Sequence, residues 1–292
     1  EPAAETAVSF SGFVDASLFV PLAGYADDGD EVLLGLDQVE VDIEAQPHDD
    51  LLIRTDINFF PAAGVPTFDS LVEQGFFDYS FGGGGFFQVG KRNAPVGAEA
   101  IDPVDMYQYS YGQLFVNATP SNLTGFFGGY RGDAFGAMVW VTNDWDLSTT
   151  PRSATPGLRL SYAFDSGAVG LSSTYGPVVS DDPYLMVDVD AAFGFGDLTL
   201  LAEANVGTSD AISSVGALVT ANYAVSDTFS ATLRADYLNR EVGEEEIDQV
   251  SLTLAGLLAI ADNYGALAEL RADLPSGADP VITGAVEFTA FW

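Results

Sequence analysis

Apolar and polar residues alternate singly along much of this chain. Leu51, Ile53, Thr55, Ile57 and Phe59 share one face of an extended segment, and Leu52, Arg54, Asp56 and Asn58 share the other. Leu185, Val187, Val189, Ala191, Phe193 and Phe195 oppose Asp188 and Asp190 in the same way. Phe229, Ala231, Leu233, Ala235 and Tyr237 oppose Ser230, Thr232, Arg234 and Asp236, while Tyr264, Ala266, Ala268 and Leu270 oppose Glu269, Arg271 and Asp273. Alternation of period two puts successive side chains on opposite faces of a β-strand. It predicts strands at 7–19, 32–45, 50–60, 71–81, 85–91, 122–131, 134–142 and 157–165. Eight more follow at 167–176, 184–195, 197–206, 213–224, 227–239, 248–260, 263–273 and 281–292. The pattern is weakest over 61–91, where Ser70–Gln74 also reads as a helical turn, so the count of sixteen carries a range of 12–18.

The gaps between strands alternate in length. Short turns fall at Gln46–Asp49, Gly82–Gly84, Gly132–Asp133, Ser166, Gly196, Val225–Ser226 and Ala261–Asn263. Longer connections fall at 20–31, 61–70, 92–121, 143–156, 177–183, 207–212, 240–247 and 274–280. This predicts an all-β fold: one transmembrane antiparallel β-barrel over 1–292, with short periplasmic turns, long external loops and both termini periplasmic.

Composition separates that barrel from a soluble sandwich, which would also alternate. Hydrophobic residues make up 48% of the chain, yet no apolar run reaches the 18 or more residues of a membrane-spanning helix. A bilayer otherwise admits only closed barrels, in which every backbone group is paired. Charges in mid-strand on the polar faces and Ala, Gly and Val on the apolar faces suit a wet interior and a lipid exterior. At the end of the chain Ile282, Gly284, Val286, Phe288, Ala290 and Trp292 share a face opposite Glu287, Thr289 and Phe291. An amphipathic last strand ending in an aromatic resembles the signal read by the barrel-assembly machinery, the partner expected along with outer-membrane lipid (lipopolysaccharide). The opening Glu1-Pro2-Ala3-Ala4, with no initiator Met and no apolar segment, reads as a mature chain whose signal peptide has been removed.

Charge narrows the chemistry. With 43 acidic and 9 basic residues the net charge is −34, which excludes nucleic acid as a partner. There is no cysteine, and the one histidine, His48, falls in a predicted periplasmic turn. Neither a zinc site nor a Ser–His hydrolase can be assembled from that set, so no enzyme, no cofactor and no dedicated metal site is expected. Acidic connections at Asp27, Asp28, Asp30 and Glu31, at Asp181 and Asp182, and at Glu241, Glu244, Glu245, Glu246 and Asp248 suit weakly held Ca²⁺ or Mg²⁺. Solvated, mutually repelling loops are the blander reading of the same runs.

The segment Val89-Gly-Lys-Arg-Asn-Ala-Pro-Val-Gly-Ala-Glu-Ala-Ile-Asp-Pro-Val-Asp-Met-Tyr-Gln-Tyr-Ser-Tyr111 resembles a signature of OmpL-like β-barrel porins. Gly90, Lys91, Asn93, Pro95, Gly97, Glu99, Asp102, Pro103 and Asp105 carry the resemblance, and the net charge of −34 departs from it. The resemblance implies an outer-membrane barrel and, less directly, solute diffusion.

The longest connection, 92–121, is then the third external loop, the one that folds into the lumen as a constriction in general porins. Those proteins also supply the analogy for a homotrimer. The loop's Glu99, Asp102 and Asp105 would face Lys91 and Arg92 at its start and the inward Arg54, Arg131, Arg159, Arg234 and Arg271. Either the two sets create a field across the channel, or each Arg neutralises an adjacent acid. Inward carboxylates, including Asp56, Asp188, Asp190, Glu203, Asp236 and Glu269, outnumber inward arginines, which predicts mild cation preference. The alternative is a structural or adhesive barrel with a plugged lumen, whose acidic loops bind a partner or divalent ions.

Overall fold

A computed structural model describes residues 6–24, 32–59, 71–147, 154–178, 182–243 and 245–292. The opening tetrapeptide, the acids Asp27, Asp28, Asp30, Glu31, Asp181 and Glu244, and the whole connection 61–70 lie outside the described residues. Sixteen strands close into a single antiparallel barrel, each pairing with its sequence neighbours and the first with the last. They are β1 Ala7–Ala23, β2 Leu33–His48, β3 Leu51–Phe59, β4 Val72–Ser80, β5 Gly85–Asn93, β6 Asn122–Arg131, β7 Phe135–Thr142 and β8 Thr155–Phe164. The circuit continues through β9 Gly167–Pro177, β10 Pro183–Phe195, β11 Leu198–Thr208, β12 Ile212–Ser226, β13 Phe229–Val242, β14 Glu245–Ala261, β15 Tyr264–Pro275 and β16 Val281–Phe291.

Closure leaves no sheet edge, so every strand backbone can be satisfied without water. Side chains sort as alternation requires. On β14, Val250, Leu252 and Leu254 point outward and are exposed, while Ser251 and Thr253 point inward and are buried. The barrel interior is therefore mainly polar, with apolar clusters at Leu123–Phe127–Trp140 and Tyr184–Met186–Ile212, and the outer face supplies most of the hydrophobic content. At the end that carries the short turns, Tyr79, Phe81, Tyr162, Phe164, Phe193 and Phe195 form stacked and edge-on pairs on the outside. Amphipathic rings at that level make an interfacial girdle.

Two connections differ from the sequence expectation. The segments 207–212 and 240–247 are not long loops: β11 and β12 run on until only Ser209–Ala211 joins them, and β13 pairs with β14 as far as Val242↔Glu245. Gly243 takes the positive φ of 62° that so tight a reversal needs. The acids Glu241, Glu245, Glu246 and Asp248 thus lie on strand ends rather than on a loop. Their polarity masked the strand, because a ladder extended into water needs no apolar face.

Candidate functional site

Between β5 and β6 the chain does not pass over the rim. Residues 94–121 turn into the barrel, carrying a 3₁₀ turn at Pro103–Asp105 and one short helix, α1, at Gln113–Asn117. What holds a polar segment there is a set of wall charges. Glu203 on β11 accepts from the amide of Ala98 at 2.7 Å, Asp236 on β13 from Gln113 at 2.9 Å, and Glu269 on β15 from Ser110 at 3.0 Å. Arg271 donates to the Tyr111 carbonyl at 2.6 Å and Arg234 to the Ser110 carbonyl. Arg159, on β8, reaches the Pro95 carbonyl at 3.4 Å. Charge-assisted bonds of this kind are about twice as strong as neutral ones and hold orphan loop amides that would otherwise be desolvated for nothing.

An apolar contact completes the docking. Leu114 of α1 and Ala118 pack against Leu218 of β12 and Leu238 of β13, all fully buried. On the far side the Tyr109 hydroxyl meets Ser17 of β1 at 3.1 Å. The segment therefore crosses the lumen from β5 to β1.

The charged residues singled out from sequence mostly pair rather than face one another across open space. Glu99 meets Arg234 at 2.8 Å, and it also accepts from Gly112 N–H at 2.8 Å. Burial holds the Glu99 carboxyl above its usual range even against the pull of Arg234 and that amide. Arg54 bonds Asp56 at 2.8 Å and lies near Asp42 and Glu44; Arg131 bonds Asp78 at 2.7 Å; Arg159 is bidentate to Asp190 at 2.6 and 2.8 Å; Arg271 bonds Asp273 at 2.8 Å. Asp188 accepts from Asn205. Arg92 has no carboxylate partner among the described residues; it bonds Gln88 and the Asn93 carbonyl and stacks over Phe127. Lys91 is buried and donates to the Val72 carbonyl.

Asp102 and Asp105 meet none of these arginines at ion-pair distance. Asp105 is exposed in a cavity of about 250 Å³ shared with Glu40, Asp42, Arg54 and Trp292. Asp102 lines the same cavity. Burial, reinforced by Glu73 and Asp105, pushes the Asp102 carboxyl up to about 7. A second cavity, about 280 Å³ and beside Pro103, is lined by Asp15, Asp37, Gln38, Tyr109 and Glu287. A third, about 240 Å³ on the opposite wall, gathers Arg92, Arg131 and Arg159 beside Pro95. The loop thus leaves acidic space along β1, β2 and β16 and basic space along β5 to β8.

Three groups of residues escaped the sequence reading. Leu218 and Leu238 occupy inward mid-strand positions beside polar inward neighbours (Thr220 and Asn222, Arg234 and Asp236), and that anomaly was a visible signal. Glu73 and Gln74 are both buried inward because the β3–β4 register shifts between Asp56 and Ile57, a bulge that strict alternation hides. Asp78, the Arg131 partner, follows from the register beyond that bulge.

The family model described as "Putative beta-barrel porin-2, OmpL-like" matches residues 37–284. No curated protein sequence matches the chain. Among solved structures, the outer-membrane channel DcaP of Acinetobacter baumannii superposes with a TM-score of 0.77 at 11% identity, covering 100% of this chain and 99% of that one. OmpT of Vibrio cholerae, in its trimer form, gives 0.72 at 14% identity over 98% and 99%. An anion-selective porin from Comamonas acidovorans gives 0.72 at 11% identity over 99% and 100%.

Proposed function

We propose, from the premise that the chain belongs to the OmpL-like β-barrel porin family and is an outer-membrane porin, that it is a passive diffusion channel for small hydrophilic solutes and ions with mild cation preference. The observation that carries this reading is the crossing of 94–121 from β5 to β1, which leaves the acidic cavities beside Pro103 as passage. Rings of carboxylates lower the barrier for cations and raise it for anions. Fold alone does not fix the sign, since the Comamonas acidovorans porin of the same architecture is anion-selective. The sign here rests on Asp15, Asp37, Asp42, Asp105 and Glu287.

The start of β1 and the end of β16 lie at the short-turn end, Trp292 donating its amide to the Gly12 carbonyl, and we assign that end to the periplasm. The exposed terminal Phe288, Phe291 and Trp292 fit recognition by the assembly machinery, and the opposite rim fits contact with lipopolysaccharide. The wall β3–β7 is built of strands of only 8–10 residues, barely enough to span hydrocarbon when tilted. A homotrimer that covers this low wall is in keeping with the trimer form of Vibrio cholerae OmpT.

The test is single-channel conductance of the folded protein in a planar bilayer, with the reversal potential read under a KCl gradient. Discrete steps with a cation-selective reversal potential are expected. Silence from inserted protein would favour the plugged barrel, a reading that the buried Leu114–Leu218–Leu238 contact also supports.

A further inference from the structure

We propose that Glu40, Glu73 and Asp102, with the side-chain oxygen of Asn58, form a site for a divalent cation of the Ca²⁺ class that ties the inward loop to the barrel wall. Glu40 comes from β2, Glu73 from the bulge in β4 and Asp102 from the loop. One oxygen of each lies within 4.8 Å of the other two. Ca²⁺–O distances of about 2.3–2.6 Å keep any two ligands of one ion within roughly 5 Å of each other, so the three oxygens have the spacing of a shared ion.

Burial makes an unoccupied cluster expensive. Glu40 is 1% exposed and Glu73 7%. Like charges withdrawn from water need either protons or a counter-charge. Among the described residues none of the three has an ion-pair partner, because Arg54, the nearby guanidinium, is engaged by Asp42, Glu44 and Asp56. The adjoining group Glu40, Asp42 and Asp56 is equally close-set. There, however, Arg54 and the amide of Gln74 already bond Asp56.

A neutral side chain marks the first group independently. Asn58 lies opposite Glu40 in the β2–β3 ladder and is 1% exposed. Its Nδ2 donates to one oxygen of Glu73 at 2.8 Å, which sets the side-chain amide against the cluster. Asn58 Oδ1 has no hydrogen-bond partner, and neither do Glu73 Oε1 and Asp102 Oδ1. Buried oxygens without donors are acceptors waiting for a cation or a proton. Carboxylate, carboxylate, carboxylate and amide carbonyl is the all-oxygen donor set of Ca²⁺, with water completing the shell. Asp102 immediately precedes Pro103, so the ion would fasten the loop on the side away from the Glu99–Arg234 contact.

The experiment is calorimetric titration of CaCl₂ into the detergent-folded full chain after EGTA treatment and dialysis. Glu73→Gln, Asp102→Asn and, as a control at a strand end, Glu246→Gln are titrated alongside. The expected result is saturable binding of one Ca²⁺ per chain, at least ~10-fold weaker in Glu73→Gln and Asp102→Asn and unchanged in Glu246→Gln. Asp102 belongs to no strand, so Asp102→Asn keeps the test intact if Glu73→Gln fails to fold. Absence of saturable binding up to roughly 1 mM, the weak end for extracellular sites, would overturn the proposal in favour of shared protons. Equal affinity in Asp102→Asn and the native chain would overturn it in favour of other acids.

Discussion

Arg234 of β13 and Glu99 of the inward loop meet at 2.8 Å with side chains 0% and 2% exposed. Removing one partner of a buried pair costs about 3–5 kcal/mol, because the other is left charged and dry. Arg234→Ala would strand Glu99 and would also remove the bonds to Ser110, while the β13 ladder stays intact. Asp236 on β13 loses its buried partner at 3.4 Å as well, but it keeps the Gln113 amide, so most of the cost falls on the loop. Folded protein with larger, noisier single-channel steps is expected, together with protease cleavage within 94–121. Native conductance and native protease resistance would show that the pair does not hold the loop.

Leu114 tests the apolar half of the same docking. Truncation to Ala in a filled site costs about 2–5 kcal/mol, depending on how far the neighbours collapse. Leu218→Ala empties the same contact from the wall side. Each variant should speed amide exchange across Gln113–Ala118 while the strand amides stay protected. Because the two side chains touch, the double variant should fall short of the sum of the singles. Fully additive effects would mean that Leu114 is held by something else.

How much of this was legible in the sequence follows from what each feature depends on. The barrel rests on local alternation, as on β14 and β15, and a period of two survives without any knowledge of tertiary structure. The turns were equally readable wherever Gly or Asn marks them. The loop's inward course could be reached only through its resemblance to porins, because its bonds join residues such as Ala98 and Glu203 that are more than a hundred positions apart. Pairing of Arg159 with Asp190, or of Arg131 with Asp78, depends on strand order and register, which alternation does not encode. Glu73 was hidden by a bulge, and the acids of 241–248 hid a strand by looking like a loop.

Asp15 and Glu287 bear on selectivity. Both are buried on the lumen face of the β1–β16 pair and line the cavity beside Tyr109 with Asp37. Neutralising Asp15 to Asn or Glu287 to Gln removes negative potential from that passage alone. The reversal potential under a KCl gradient should move toward zero in either variant. Arg92→Ala, on the opposite wall, should move it the other way, since Arg92 is a positive charge with no ion-pair partner among the described residues. A reversal potential that responds to Arg92 and ignores both acids would place the ion path along β5 to β8 instead.

The outer face gives the most direct test of the bilayer itself. Leu254 lies mid-strand on β14, points outward and is 57% exposed, an arrangement that water would penalise and lipid would reward. Leu34 is more exposed still, at 83%, but sits one residue from the start of β2 at the loop end. If hydrocarbon covers the middle of the barrel and not its rim, an arginine should be tolerated at one site and resisted at the other. Depth-dependent costs run to about 2–4 kcal/mol at the midplane and about 0–1 near the interface. Leu254→Arg should lower folding yield into lipid vesicles and the urea midpoint far more than Leu34→Arg does. The difference should vanish in the transfer to water that a soluble fold would experience, where a surface Leu→Arg change stays within about 0.5 kcal/mol at either place. Equal, small effects at both positions would therefore contradict a lipid-facing outer wall.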